Sequence, residues 1–494
     1  MADSKAAPPA AAAAAPANAS SGPSKDSNIA DQKQGASKQQ QQAQGAQPVG
    51  PWQDDNVWGI APLAVLDDDN HDLGRSRSQR YRYLEGLRGF LALETLLYIY
   101  FRLLAPAAAT DTDVDNTYPA PFLTDAPAWQ TGLRKGLQPI FWNSTLLSSF
   151  FIILSARVAA LTFLERRTPT TLAGAVFRRP LRLLFPVIFG LAFTSILSRA
   201  GAFNSAAEFA TRTQNQIAQP PRLWTNFIEF FNACFTLFFD TSVQKWHPAI
   251  AYIPPSGISW TIPVIFQQSF TLYVFAALMP YLTFKAKAWG FAGFIIVTYW
   301  LGSWAWYTLT GLQIAEFALL YLPLLGKRRP LALWVVPVFF LVLGVALKYT
   351  WTAVPSRRDD EYVFHSTLSD GTLNRNLEPW NTPYPRVDDY LVAFGAMTLL
   401  ELSTIAQVIF SNPVFRWLGR HALMIQFLAG PICLSLGSYL ANDLTSKGYG
   451  ASSITTVNFF ACVPISLIAA EIAYWLVEWP SFWAARWLFR FMKE

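Results

Sequence analysis

An all-α, polytopic membrane fold of about ten transmembrane helices is what this sequence predicts, and three observations predict it. The composition is 52% hydrophobic and 15% aromatic with only 14% charged residues, against roughly 25% charged in a soluble domain. Several apolar runs approach the roughly 20 residues that cross a bilayer. Short basic connections alternate with long acid-rich ones along the chain, the pattern that orients membrane helices. The net charge of +6 then reads as positive flanks beside helices. The basic residues come in short clusters between apolar runs, so the bilayer is the expected partner and nucleic acid is not. Cys433 and Cys462 fall in expected helices, and with Cys234 they make neither a disulfide framework nor a metal site. No metal is expected.

In chain order, residues 1–74 form a low-complexity cytosolic tail and 75–494 one transmembrane domain. The tail is dominated by Ala, Pro, Gln, Ser and Gly, as in KQQQQAQGAQ. It cannot bury enough surface to offset its ordering entropy, so disorder is expected. Asp3 and Lys5 precede an alanine–proline tract with no leucine-rich core, which is not a signal-peptide pattern. Apolar runs predict helices at 86–105, 141–164, 182–198, 259–284, 289–307, 309–325, 331–350, 389–410, 422–441 and 456–477. The stretch 289–325 divides around Thr308 to Gly311.

With both termini cytosolic, the cytosolic connections are 165–182, 285–287, 326–329 and 412–421, all short and basic. The opposite loops carry Asp111, Asp113, Asp115, Asp359, Asp360 and Glu361. An even helix count keeps Arg486, Arg490 and Lys493 on the basic side. Leu223 to Phe239 is apolar but interrupted by Asn226, Glu229 and Asn232, and reads as an interfacial or re-entrant helix. The terminal SFWAARWLFRFMKE sets Trp483, Trp487, Phe489 and Phe491 among arginines and reads as a helix on the cytosolic surface.

Five motifs carry a family resemblance. Leu84, Glu85, Gly86, Leu87, Arg88 and Gly89 open the first helix; FFIILSARV spans Phe150 to Val158; FRRPLRLLFP spans Phe177 to Pro186; and WTIPVIFQQS (Trp260 to Ser269) precedes WLGRHALMIQFLAGP (Trp417 to Pro431). In this order they resemble the acyltransferase type 3 family, in its fungal form. Those proteins are polytopic and move acyl groups onto sugars and other small acceptors. The resemblance implies acyl-CoA as a cytosolic co-substrate, no permanently bound cofactor, and a small-molecule or sugar hydroxyl as acceptor. It places Arg88 in the donor-side chemistry and Trp260 in a substrate-binding motif. The family's first-helix histidine is replaced at Tyr98 or Ile99, its late histidine at Ala429, and a glutamate and an arginine at Ile265 and Gln267.

Histidine is the usual general base for activating a hydroxyl, so the remaining polar residues inside helices become the candidates. Ionisable groups at membrane depth are costly and mark function or pairing; here they are Glu94, Arg157, Glu316, Glu401 and Glu471. Glu94 and Arg157 lie at equal depth from the cytosolic ends of the first two helices. They read either as a salt bridge or as a catalytic pair in an inner cavity. Arg88, Arg178, Arg179 and Arg182, with Arg166 and Arg167, gather on the cytosolic face, as topology charges or as a phosphate site for acyl-CoA. His421 reads as a solvated helix-end residue. Asn143-Ser144-Thr145 is a glycosylation pattern. Two rivals stand beside the acyltransferase: a non-catalytic family member that binds acyl donor or lipid, and a transporter.

Overall fold

The computed structural model describes residues 81–109, 121–124, 126–221, 224–239, 258–325, 330–354 and 384–493. The low-complexity tail, the acidic residues 111–115 and 359–361, the basic 326–329 connection, and His71, His247 and His365 lie outside the described residues. Within them, every regular element is helical. The helices that matter for the site are α1 (Arg82–Leu104), α2 (Ser144–Arg166), α3 (Pro169–Arg199), α4 (Phe227–Phe239), α5 (Thr261–Leu278), α6 (Phe284–Trp300), α7 (Ala305–Glu316), α8 (Ala332–Ala353), α9 (Val387–Leu402), α10 (Thr404–Phe410), α11 (Pro413–Ile432), α12 (Ala451–Ala473) and α13 (Trp479–Lys493).

The ten expected runs are helical, two of them interrupted, at Leu301–Trp304 and at Ser403. Among the described residues, six stretches are long and apolar enough to cross a membrane: α2, α3, α5 extended to Tyr281, α8, α11 continued to Ser446, and α12 through α13 to Met492. The pair α9 and α10, bent by 100°, makes a seventh if counted as one span. α6 and α7 have 17 and 12 residues. α1 is set apart by its charges, yet it is the central helix: Leu91, Leu96, Tyr98, Ile99, Tyr100 and Leu103 are buried. It packs along α11 and against α2 and α12. A helix enclosed by protein needs no lipid-compatible surface, so charge there is tolerated where partners exist. Peripheral helices show the opposite pattern; α8 exposes Val335, Val336, Phe339 and Val342.

Several expected boundaries are corrected, each for a local physical reason. The split expected at Thr308–Gly311 falls instead at Leu301–Trp304, where Gly302 takes a left-handed φ of 63°. Gly311 serves a different purpose: a Cβ there would lie 2.6 Å from the Ile153 carbonyl oxygen, so it lets α7 approach α2. The helix expected at 389–410 is broken. Ser403 caps α10 by accepting the Ala406 N–H at 3.2 Å, while Gln407 Nε2 donates to the carbonyls of Leu400 and Glu401 at 3.0 and 3.1 Å. Those two devices satisfy the backbone groups that the bend exposes.

The connection expected over Asn412 to His421 is helical. Asn412 accepts the Val414 N–H at 2.9 Å and Pro413 occupies the first turn, where its missing N–H costs nothing. α3 likewise starts thirteen residues earlier than expected, at the Thr168 cap and Pro169, and runs through Pro180 and Pro186. In α4, Asn226 accepts the Glu229 N–H and Glu229 accepts the Thr225 N–H, so two of its polar residues form a reciprocal cap. Asn143 of the glycosylation pattern caps α2, accepting the Leu146 N–H at 3.1 Å.

Candidate functional site

The first and last of the recognisable motifs meet backbone to backbone. A Cβ on Gly86 would fall 1.5 Å from the Phe410 carbonyl oxygen, and one on Gly89 would fall 1.7 Å from that of Phe415. One on Gly419 would fall 1.9 Å from the carbonyl oxygen of Glu85. Only glycine allows α1 and α11 to approach this closely. The contact brings Glu85 within 3.3 Å of Arg416 and turns Arg88 toward the far end of α12, where its Nη2 lies 4.0 Å from Glu478 Oε1.

Glu478 ends a π-helical segment, Tyr474–Glu478, that joins α12 to α13. π segments widen a helix locally and are frequent at functional sites. Its carboxyl is buried, and both Arg88 and Arg182 act on it electrostatically. Arg182 lies over the Phe482 ring at 4.2 Å and Arg178, one turn earlier on α3, over Phe489 at 5.7 Å. Arg88, Arg178 and Arg179 all lie within electrostatic reach of Arg182. Arg179 faces elsewhere: its Nη2 donates to Ser155 Oγ at 2.6 Å and to the Ile265 carbonyl at 3.5 Å. The four arginines expected together are thus neighbours. Arg88 and Arg182 lie around Glu478 with Arg178 beside Arg182, while Arg179 ties α3 to α2 and α5. One carboxylate against three guanidinium groups leaves an excess of positive charge, which suits an anionic ligand.

The expected Glu94–Arg157 salt bridge does not form. Arg157 is fully buried, and its Nε donates to Glu401 Oε1 at 3.0 Å; the Tyr83 hydroxyl donates to Glu401 Oε2 at 2.6 Å. The carboxylate closing α9 therefore sits between helices α2 and α1. Nη1 and Nη2 of Arg157 have no hydrogen-bond partner among the described residues. Glu94 is buried with no ion-pair partner among the described residues. Equal depth on two helices was the warrant for pairing them, but depth says nothing of which way each side chain faces.

The other glutamates resolve into separate pairs. Lys287 Nζ donates to Glu316 Oε1 at 2.6 Å. His421, expected to be solvated, is 1% exposed because α11 begins two turns before it. Its Nδ1 donates to the Trp417 carbonyl at 2.7 Å, and its Nε2 lies 2.9 Å from Glu471 Oε2. Trp417 and Trp475 each donate an indole N–H to the same carboxylate, at 2.7 and 2.9 Å. A charged cluster not anticipated from sequence joins α8 to α9. Arg386 holds Asp388 through two parallel bonds of 2.9 and 3.0 Å, and Lys348 pairs with Asp389 and, at 3.5 Å, with Asp388. Its sequence signals were Lys348 within the apolar run 331–350 and the Asp-Asp pair after Arg386.

Trp260 immediately precedes α5, half-buried, with its ring 5.4 Å from that of Trp304. Trp304, Tyr307, Trp306 and Tyr390 continue the aromatic contact. The positions that correspond to the resembled family's histidines are packed core: Tyr98, Ile99 and Ala429 are all within 1% exposed. No group of three or more His, Cys, Asp or Glu side chains among the described residues is arranged to hold a metal ion.

No protein-family model matches the chain, and no solved structure matches it. The chain is similar to the O-acetyltransferase PaAT-1 of Phomopsis amygdali, 22% identical over 351 residues that cover 65% of this chain and 68% of that protein.

Proposed function

We propose that this chain is a fungal-type membrane acyltransferase of the type 3 family, with ten membrane crossings and both termini cytosolic. It takes an acyl group from cytosolic acyl-CoA to a hydroxyl of a sugar or other small molecule. The observation that carries this reading is the glycine contact of α1 with α11, which sets Arg88 beside Arg182 and Arg178 with positive charge in excess. The likeness to a protein named as an O-acetyltransferase supports the same reaction class. Arg88, Arg178 and Arg182 bind the donor phosphates through their planar forks, and Arg179 positions α2 against α5. Trp260 contributes an aromatic face to the acceptor. Glu94 is the general base: a cation partner would make it a weaker one, and Arg157 is held by Glu401 instead. Arg157, with two donors unpartnered, holds the carbonyl oxygen of the transferred group.

A second reading is supported by the packing of Ile99 and Ala429: a family member that binds acyl donor or lipid without turnover. Both are tested on the full-length protein in lipid nanodiscs by acetyl-CoA binding and by acetyl transfer to a panel of hydroxyl acceptors. Binding should be lost in Arg88→Ala with Arg182→Ala, and transfer alone should be lost in Glu94→Gln. Acetyl-CoA binding without transfer in the unaltered protein selects the second reading in its donor-binding form, and absence of acetyl-CoA binding rejects the acyltransferase reading. Topology is read separately: reporters at residues 170 and 494 should be cytosolic and one at residue 120 should not.

A further inference from the structure

The helix that ends the chain carries one aromatic edge with no role in the reading above. Trp475, Trp479, Trp483, Trp487 and Phe491 recur at four-residue spacing, and each is more than half exposed. In an α-helix that spacing advances by about 40° per step, so the edge winds round one side of the helix, and the wider turn at Tyr474–Glu478 offsets the first step. The rings follow one another, Trp475 to Trp479 at 6.3 Å and Trp487 stacked on Phe491 at 5.9 Å. The first rung is fixed, because the Trp475 indole N–H is held by Glu471.

The chemistry of the exposed face changes along the helix. On α12 it is Val457, Phe460, Ile465, Ile468 and Ile472; from Trp475 onward it is mainly tryptophan. Aliphatic side chains suit the hydrocarbon core, whereas tryptophan concentrates at the lipid–water boundary. α12 has 23 residues, about 34 Å at 1.5 Å per residue, which matches a hydrocarbon thickness of about 30 Å. The continuous stretch to Met492 has 42 residues, about twice what the core needs. α13 therefore belongs outside the core, and the tryptophan edge lies on that part. Arg486 and Arg490 are exposed beside it. The opposite face of α13 is occupied, with Phe482 under Arg182 and Phe489 under Arg178.

We infer that the Trp475–Phe491 edge, which runs from the π segment along α13, lies in the lipid–water interface and that Arg486 and Arg490 take anionic phospholipid headgroups there. Cationic side chains next to interfacial aromatics match such a surface in charge and polarity. The inference stands independently of acyl transfer, since it uses no donor or acceptor. One helix would then seat on lipid by its outer face and on Arg178 and Arg182 by its inner face.

The test uses the full-length protein in nanodiscs of phosphatidylcholine with phosphatidylglycerol. A fluorophore is attached at Trp487→Cys and, for comparison, at Ile468→Cys; the native Cys234, Cys433 and Cys462 are buried. Quenching of the Trp487→Cys probe should be strongest with a nitroxide at the lipid headgroup or high on the acyl chain, and the Ile468→Cys probe should prefer a nitroxide deep in the chain. Spin-labelled phosphatidylglycerol should be enriched over phosphatidylcholine at the protein, and Arg486→Gln with Arg490→Gln should bring the two nearer to parity. A Trp487→Cys probe quenched by aqueous iodide but by no lipid nitroxide would overturn the inference. Protection from both, as under a second copy or another protein, would also overturn it, as would equal lipid preference in the unaltered protein. If Trp487→Cys does not fold, Trp483→Cys gives the same readout.

Discussion

Two buried charge sites in this bundle solve the same electrostatic problem differently. Between α8 and α9, Lys348 and Arg386 face Asp388 and Asp389: two cations, two carboxylates, and contacts that cross between them. Between α2 and α9, one guanidinium faces one carboxylate, with Tyr83 as the carboxylate's second donor and two guanidinium nitrogens left over. Burying charge is expensive unless it is paired and its remaining hydrogen-bonding groups are satisfied. The quartet balances its charges through a bidentate fork and a shared lysine, leaving one carboxylate oxygen, Asp389 Oδ1, with an ion-pair contact but no hydrogen bond among the described residues, and it joins the closely packed α8 and α9. The Arg157 site meets only half of that condition, at the centre of the molecule. The difference is one of charge type: the Arg157 site leaves two cationic donors without partners among the described residues, whereas the quartet leaves one acceptor oxygen beside two cations.

The sharpest way to break this comparison is to strand a charge. Arg157→Met should destabilise the fold by about 3–5 kcal/mol, because Glu401 is left buried without a cation. Arg157→Met with Glu401→Met should recover much of the loss, measured as a double-mutant cycle of unfolding in detergent. Additive losses would mean that the 3.0 Å contact carries no coupling. In the quartet, Lys348→Met should cost less, about 1.5–3 kcal/mol, since Arg386 remains beside both aspartates. A loss as large as that of Arg157→Met would remove the distinction between a shared and an unshared partner.

Smaller changes sharpen it. Arg386→Lys keeps the charge but loses the two-bond fork to Asp388 and should cost about 1 kcal/mol in the same unfolding measurement. Glu94→Gln should cost the least, below about 1 kcal/mol, since no described cation is stranded by it. It should at the same time remove acyl transfer. Unaltered transfer would take Glu94 out of the mechanism, and a stability loss equal to that of Glu401→Gln would reveal a partner for Glu94.

The helices were legible because apolar runs and caps are local properties. The starts of α3 and α11 were equally legible in Thr168-Pro169 and Asn412-Pro413, a polar cap followed by a proline suited to the first turn. The start at Asn412-Pro413 puts His421 eight residues inside α11 and not at the solvated helix end expected from the sequence. The α9–α10 break also left a local sign, Ser403 in the capping position inside an apolar run. Gly302 and Gly311 could not be told apart by composition. One permits a left-handed φ and the other a close backbone approach, and only the neighbouring helix distinguishes the two uses.

The sequence by itself determined an all-helical chain with membrane-compatible runs, arginines concentrated at one end of α1 and α3, and a small set of ionisable residues at depth. Those follow from residue type and period, which require no knowledge of neighbours. The partners were decided by tertiary structure alone. Arg157 reaches Glu401, 244 residues away, rather than Glu94; His421 meets Glu471; and Glu478 draws Arg88 and Arg182 to one place. Position along a helix supplies depth. Azimuth and neighbour come only from how the helices pack, and a buried charge is stabilised by whichever opposite charge that packing turns toward it.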